Sequence, residues 1–414
     1  MFMRNLVLIC IGLCFLFIDA CKGMEGQNNF LLENIEYAVV QYRMLIDELK
    51  KNDKLWTPRT VNTKGDIVYA SQSWDWTLGF FPGSLWYLYN LTGDEKWKTL
   101  AKKYTEALKS QQYITSHHDI GFIIGCSYLN GMRMGHEAYD SIIIQAAKSL
   151  STRFRPKAGV IQSWSAHTGW QAKRGWKCPV IIDNMVNLEI LFEATSLSGD
   201  STFYNIAVSH ADMTLKNHFR EDGSSYHVVD YDMETGKIRS RCTAQGYSDE
   251  SAWARGQAWS IYGYVMCYRY THQTEYLKQA EATYEFIFTH PNLPEDLIPY
   301  WDFDAVNIPH EIRDASSAAI VAAALYELSI YSNKAEYKKT ADKIMYSLSS
   351  PAYRNQMGKN HNFLLMHSVG SYPQGNEIDV PLNYADYYYL EALKRKKDIE
   401  QNNMTHVIRK TNKI

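Results

Sequence analysis

Surplus positive charge is what this 414-residue chain most plainly lacks: 43 Lys and Arg face 45 Asp and Glu, leaving a net charge of −2. Without spare cations a protein gains nothing by displacing counterions from a polyanion, so no nucleic-acid partner is expected. Apolar runs long enough to cross a bilayer are missing too. The run from Leu6 to Ile18 has 13 residues, short of the ~20 that a membrane-spanning helix needs but suited to the core of an export signal. No Pro/Ser-rich or single-charge block interrupts residues 31–396, which argues for one domain there. Cysteine is sparse, with 7 in all. The spacing fits no zinc pattern, and Cys126 and Cys267 lie in apolar runs. Buried free thiols are therefore expected at Cys126, Cys178, Cys242 and Cys267 in preference to disulfides.

What is present starts with residues 1–20, read as a signal peptide. Cys21 follows Ile18-Asp19-Ala20 and resembles a bacterial lipoprotein cleavage site, so residues 21–30 are expected to be a lipid-anchored or flexible linker. The expectation is an exported, periplasmic protein with a lipid anchor through Cys21. Residues 397–414 read as a polar tail. Hydrophobic residues make up 46% of the chain, enough for a large core, and exclude the disordered classes. Eleven Trp and 30 Tyr supply rings with an apolar face and a polar edge, which suits a sugar in a wet cleft.

Strand-like alternation is scarce outside pieces such as Ser225–Tyr231, whereas a helical unit recurs. Four segments carry an apolar helix, a short turn, and then an aromatic residue followed four positions later by Ala: Trp97/Ala101, Phe203/Ala207, Tyr276/Ala280 and Tyr337/Ala341. The turns (Thr92-Gly93-Asp94, Ser198-Gly199-Asp200, His272-Gln273-Thr274, Ser332-Asn333) hold helix stop and start chemistry. The first interval leaves room for another hairpin around Ile142–Phe154. With the amphipathic stretch Ile35–Leu49 and Tyr384–Leu393, about six hairpins fit. Their uneven connections favour closure over an open stack. The predicted fold is all-α, an (α/α)6 barrel with long loops and inner-helix starts around one funnel.

Two carboxylates stand at such starts. Asp183, in Ile181-Ile182-Asp183-Asn184, lies between an apolar run and a helix, where desolvation raises a carboxyl pKa; a plain N-cap is the alternative. Asp119 lies in His117-His118-Asp119, a trio that invites a metal. Adjacent side chains are expected to point apart, and no third nitrogen or thiolate follows at a regular spacing, so no metal is assigned. Across a funnel the two acids could act as an acid/base pair. Arg255 and Trp259 fall at i and i+4, so a guanidinium and an indole are expected on one helix face, either for an anionic sugar or as a structural stack.

Taken together, DWTLGFFPGSLWYLYNLTGD (75–94), HHDIGF (117–122), IIDNMVNLEIL (181–191), QGYSDESAWARGQAW (245–259), RDASSAAI (313–320) and DVPLNYADYYYLEAL (379–393) resemble family 88 of the glycoside hydrolases, the unsaturated glucuronyl hydrolases, over about residues 33–395. The resemblance implies an (α/α)6 barrel that removes the 4,5-unsaturated uronic acid from the non-reducing end of lyase-generated oligosaccharides by hydrating its vinyl ether. Its substrates are unsaturated uronate-terminated oligosaccharides, and it uses neither metal nor organic cofactor. By the same carry-over Asp183 is the general acid/base and Asp119 the assisting carboxylate. His227, Gln245, Arg255 and Trp259 contact substrate, with His118 beside the assisting acid. Trp76 and Trp164 line the sugar subsite, although Trp74 and Trp170 stand close by.

An unsaturated rhamnogalacturonyl hydrolase of the same barrel type, or a non-catalytic helical glycan-binding lipoprotein, are the alternative readings. Ser368 and Ser371 in the loop Met366–Gly375, which holds no Lys or Arg and a single His, predict a modest preference for sulfated ends.

Overall fold

Two of the four turns that punctuate the repeat stop one helix and cap the next as their chemistry requires; Gln273 and Lys334 at the other two make no side-chain cap. The computed structural model describes residues 29–51, 54–73, 75–332 and 334–411, with side chains to residue 402. The proposed export signal, Cys21 and Trp74 lie outside the described residues. Gly93 and Gly199 adopt left-handed φ of 70° and 73°, closing one helix, and the next residue, Asp94 or Asp200, accepts a hydrogen bond from the amide two positions on and opens the next. Three residues after these aspartates come Trp97 and Phe203, which with Tyr276 and Tyr337 and the Ala four positions beyond each are buried.

Among the described residues, twelve α-helical segments follow in chain order. They are α1 (29–49), α2 (Phe80–Thr92), α3 (Glu95–Glu106), α4 (120–135), α5 (Asp140–Ser151), α6 (184–198), α7 (Ser201–Asn217), α8 (Ala254–Thr271), α9 (Thr274–Thr289), α10 (Ala315–Tyr331), α11 (Ala335–Leu348) and α12 (Asn383–Thr411). α4 contains a π turn at Gly125–Leu129, and α6 is interrupted at Leu188. The even-numbered helices form the inner ring. Each packs on the next, and α12 closes onto α2. α8 and α10 are buried nearly all round, while outer helices such as α3 and α11 bury one face only. α12 continues without a break past residue 396, where the sequence reading placed the start of a polar tail.

Nine short strands lie among the described residues, all in loops between helices. β1 (Pro58–Val61) pairs with β2 (Ile67–Tyr69), and β3 (Phe154–Arg155) with β4 (Val160–Ile161). β5 (Cys178–Ile181), β6 (Val228–Tyr231) and β7 (Ile238–Cys242) make an antiparallel sheet, and β8 (Ser368–Ser371) pairs with β9 (Asn376–Val380). Cys126, Cys178, Cys242 and Cys267 are buried and unbridged.

Along the barrel axis, Phe80, Phe122, Trp259, Tyr384 and Tyr388 form an aromatic layer with centroid separations of 5.2–6.0 Å. Beyond it, toward the C-terminal ends of the inner helices, charges of alternating sign run from helix to helix. Arg133 of α4 meets Glu189 of α6 at 2.9 Å, and Arg269 of α8 pairs with that same Glu189. Glu327 of α10 lies 3.1 Å from Arg269 and 2.9 Å from Arg395 of α12, which also holds Glu391 at 2.9 Å.

Candidate active site

At the opposite end the inner-helix N-termini surround a cavity of about 450 Å³. Trp76 precedes α2, Asp119 precedes α4, Asp183 precedes α6, Arg255 lies in the first turn of α8 and Tyr384 in that of α12; all five line the cavity. The remaining inner helix, α10, starts at Asp314, whose carboxylate caps Ser316 and holds Arg255 at 3.2 Å.

The two sequence-selected acids share this space and differ in kind from the other acidic residues at helix starts. Asp75, Asp94, Asp200 and Asp314 all accept a capping amide; the Asp119 and Asp183 side chains cap nothing. The N-cap alternative for Asp183 therefore fails. Its position is set by the sheet: Ile181 of β5 pairs with Val228 of β6, and the Ile182 amide donates to the His227 carbonyl at 3.0 Å. That register puts His227 Nε2 3.8 Å from Asp183 Oδ2, an oxygen with no protein hydrogen-bond partner. His227 Nδ1 accepts from the amides of Ala244 (3.1 Å) and Gln245 (3.2 Å), so the ring proton sits on Nε2 and faces the acid. Burial keeps His227 neutral by lowering its pKa.

Burial also pushes the Asp183 pKa up to about 7. Arg255, its own backbone amide and the Trp259 indole N–H oppose the rise, and the Asp119 charge adds to it. Asp119 is set the other way. Burial would raise it, but His118, His117 and Arg153 outweigh that effect and hold its pKa below the usual carboxylate range. His117 Nδ1 lies 3.2 Å from one Asp119 oxygen and His118 Nε2 3.3 Å from the other. The two histidines thus converge on Asp119 instead of pointing apart, because they sit in the irregular turn before α4. His118 is fully buried and desolvated to a pKa of about 4, and its Nδ1 takes a hydrogen bond from Asn187 of α6 at 3.1 Å. One carboxyl protonated near neutrality beside one ionised is the arrangement an acid/base pair needs.

Of the other residues selected from sequence, Trp76, Trp164, Gln245 and Arg255 line the cavity, and His118, His227 and Trp259 stand directly behind its walls. Trp170 lines it together with Trp164, and the two rings meet edge to face at 5.2 Å. The Arg255–Trp259 pairing is corrected. Helical side chains lean toward the N-terminus, so the guanidinium lies over Trp253 at 4.5 Å and Tyr384 at 5.5 Å, while Trp259 packs on Phe122. Arg255 also donates to the carbonyls of Val369 and Gly370, tying α8 to β8. Sequence reasoning missed Arg59, Tyr384, Gln374, Asn376 and Glu377, which arrive from β1, α12 and the β8–β9 hairpin. Short loop segments far apart in the chain gave no periodic signal that would have joined them.

Comparison with known proteins agrees with this geometry. The curated unsaturated glucuronyl hydrolase of Formosa agariphila is 44% identical over 405 residues, covering 96% of this chain and 99% of that one. An unsaturated chondroitin disaccharide hydrolase of Streptococcus agalactiae is 32% identical over 374 residues, covering 88% and 90%. A crystal structure of an unsaturated glucuronyl hydrolase specific for heparin superposes with a TM-score of 0.85 at 44% identity, covering 90% of this chain and 98% of that chain. The family model described as Glycosyl Hydrolase Family 88 matches residues 50–407, and the chain, an (α/α)6 barrel, belongs to that family of glycoside hydrolases.

Proposed function

We propose that this chain is an exo-acting unsaturated glucuronyl hydrolase that removes the 4,5-unsaturated uronic acid from the non-reducing end of lyase-generated oligosaccharides. The observation that carries the reading is the pair of non-capping carboxylates, Asp183 and Asp119, on one cavity with opposite protonation preferences. Protonating carbon is slow, so the donor must be held against the alkene and remain protonated near neutral pH. Asp183 meets both conditions.

In this mechanism Asp183 gives its proton to C4. The C4–C5 double bond supplies the electron pair, and positive charge develops at C5 and the ring oxygen. Asp119, ionised, stabilises that charge and orients the ring. The Asp183 carboxylate then takes a proton from water as the water oxygen bonds to C5. The resulting hemiketal opens to a C5 ketone and a C1 hemiacetal, and collapse of that hemiacetal to the aldehyde releases the rest of the sugar as an alcohol. His227 Nε2–H and the unpaired Trp259 indole N–H face Asp183 and favour its anion at the second step. Trp76, Trp164 and Gln245 hold the sugar, and Arg255 holds the β8 backbone at the cavity wall.

The vinyl ether absorbs in the ultraviolet, and hydration destroys the band. Loss of absorbance on an unsaturated uronyl disaccharide tests the reading; wild-type protein that binds the disaccharide but leaves the band intact would make it a glycan binder. Turnover of a pectin-derived rhamnogalacturonyl disaccharide and not of a glycosaminoglycan-derived one would move it to the neighbouring activity. The run Leu6–Ile18 followed by Cys21 supports export to the periplasm with lipid on Cys21. Radiolabelled palmitate should enter the wild-type protein and not Cys21→Ser; equal labelling, or none in either, would remove the anchor.

A further inference from the structure

Two arginines are buried among the described residues, Arg255 and Arg153. Arg255 has Asp314 at 3.2 Å. Arg153, 5% exposed, meets main-chain carbonyls in place of a carboxylate: Nε donates to Gln162 at 2.7 Å, Nη1 to Thr115 at 2.6 Å and Nη2 to Ser163 at 3.3 Å. Burial and the nearby Arg155 lower its pKa to about 10, against the pull of Asp119, so it keeps its charge at neutral pH. A buried cation without a paired anion is costly, which makes such a group a candidate for function.

The three carbonyls belong to the segments that place both acids. Thr115 leads into the His117–Asp119 turn, and the Ser163 carbonyl that Arg153 reaches also accepts the His118 amide at 3.0 Å. Ser163 is docked on β5: its amide donates to the Pro179 carbonyl at 2.9 Å, and its hydroxyl accepts from the Ile181 amide at 3.0 Å. Asp183 follows two residues later. The charged and titratable groups around Arg153 are Asp119, Arg155 and the Cys178 thiol of β5; those around Asp119 are Arg153, the His117 and His118 of its own turn, and Asp183 on the same cavity. Burial keeps His118 neutral near pH 7, whereas the Arg153 charge persists there.

We infer that Arg153 is a positioning residue for the reaction: from behind the cavity wall it clamps the Asp119 turn to the segment docked on the strand that leads to Asp183, and it sets an unneutralised positive charge against Asp119. The inference rests on the function proposed above. That chemistry needs Asp119 ionised while Asp183, on the same cavity, is protonated. Two carboxyls sharing a desolvated site compete for one proton, and the charges fixed nearby decide which of them holds it. The two buried guanidinium groups are matched to this need in opposite ways. Arg255 faces the acid that must stay neutral, and Asp314 offsets its charge. Arg153 faces the acid that must stay ionised, and carbonyls leave its charge whole.

The test is the pH profile of kcat and kcat/KM, read by absorbance loss on an unsaturated uronyl disaccharide, for wild type, Arg153→Gln and Arg153→Lys. Arg153→Gln removes the charge and most of the clamp. Its kcat at the optimum should fall about tenfold or more, with KM changed less than about twofold because the guanidinium does not hold the sugar. Its acid limb, set by Asp119, should move up by about one pH unit or more, while the alkaline limb set by Asp183 stays in place. Arg153→Lys keeps the charge and loses the fork, so kcat should fall about tenfold with the acid limb within about half a unit of wild type. A merely structural role would lower Tm and the yield of folded protein and leave both limbs alone. An acid limb unmoved in folded Arg153→Gln, or moved equally in both variants, would overturn the inference. If Arg153→Gln does not fold, Arg153→Lys decides by itself: a wild-type kcat or a displaced acid limb would overturn it. Absence of turnover by wild-type protein at every pH would instead remove the proposed function on which it rests.

Discussion

Replacing Asp183 with Asn should cost activity and raise stability at once, and the size of each effect follows from the site. General acid catalysis contributes about 10²–10⁴-fold. Because the same carboxyl also activates water, the loss in kcat should lie near the upper end, about 10⁴-fold, with substrate binding retained. Stability moves the other way. Burial holds the folded-state pKa at about 7, against ~3.9 in an unfolded chain. A raised carboxyl pKa means that the unfolded state ionises first. Stability conferred by the neutral carboxyl is therefore complete below about pH 4, is lost as pH rises to about 7, and is level above that. At ~1.4 kcal/mol per unit, the wild-type protein forgoes up to about 4 kcal/mol at pH 8 relative to a neutral isostere. For a domain of this size that is about 5 °C in Tm. Absorbance loss and calorimetry at pH 8 and pH 4 read both effects. Retained turnover, or a Tm difference that is absent or reversed at pH 8, would refute the claim that Asp183 is a buried, protonated acid.

Other outcomes follow from the same electrostatics. Wild-type kcat/KM should fall about tenfold per pH unit above roughly pH 7 as Asp183 ionises. It should show no acid-side loss from protonation of His118 or His227 as pH falls through about 6, since burial keeps both neutral there. Asp119→Asn should lower kcat by about 10²-fold or more and shift the alkaline limb of the residual activity downward, because the Asp119 charge is one cause of the raised Asp183 pKa; an upward shift would contradict the coupling. Glu327→Ala leaves Arg269 paired with Glu189 alone and Arg395 with Glu391 alone at the far end of the barrel. It should destabilise by about 1–3 kcal/mol and leave KM unchanged below the melting transition; a wild-type Tm would show those ion pairs to be idle.

The barrel was legible because its signal is local and repeated. A left-handed stop at Gly93, Gly199 and His272, an Asp cap at Asp94 and Asp200, and a buried aromatic/Ala pair on four of the outer helices recur within a few residues. The two acids were legible for a related reason: each sits at a helix start beside an apolar run. Their difference from ordinary caps was not, because whether an Asp side chain accepts an amide depends on ψ and on neighbours contributed by other helices. Arg59 and Glu377 were hidden more deeply. β1 and β9 are short, and nothing in either segment encodes the other, so only folding brings the guanidinium and the carboxylate together. The partner of Arg255 was misassigned since helical spacing gives a face and not the direction in which a long side chain leans.

The aromatic layer and the alternating charges behind it make the catalytic funnel a cul-de-sac. A polymer cannot thread through such a barrel, and the spent monosaccharide has only the mouth by which to leave. Every cleavage must then be followed by complete dissociation of the shortened saccharide, so attack is distributive, one terminal residue per encounter. The liberated uronate, sharing the same exit, should act as a competitive brake at high conversion.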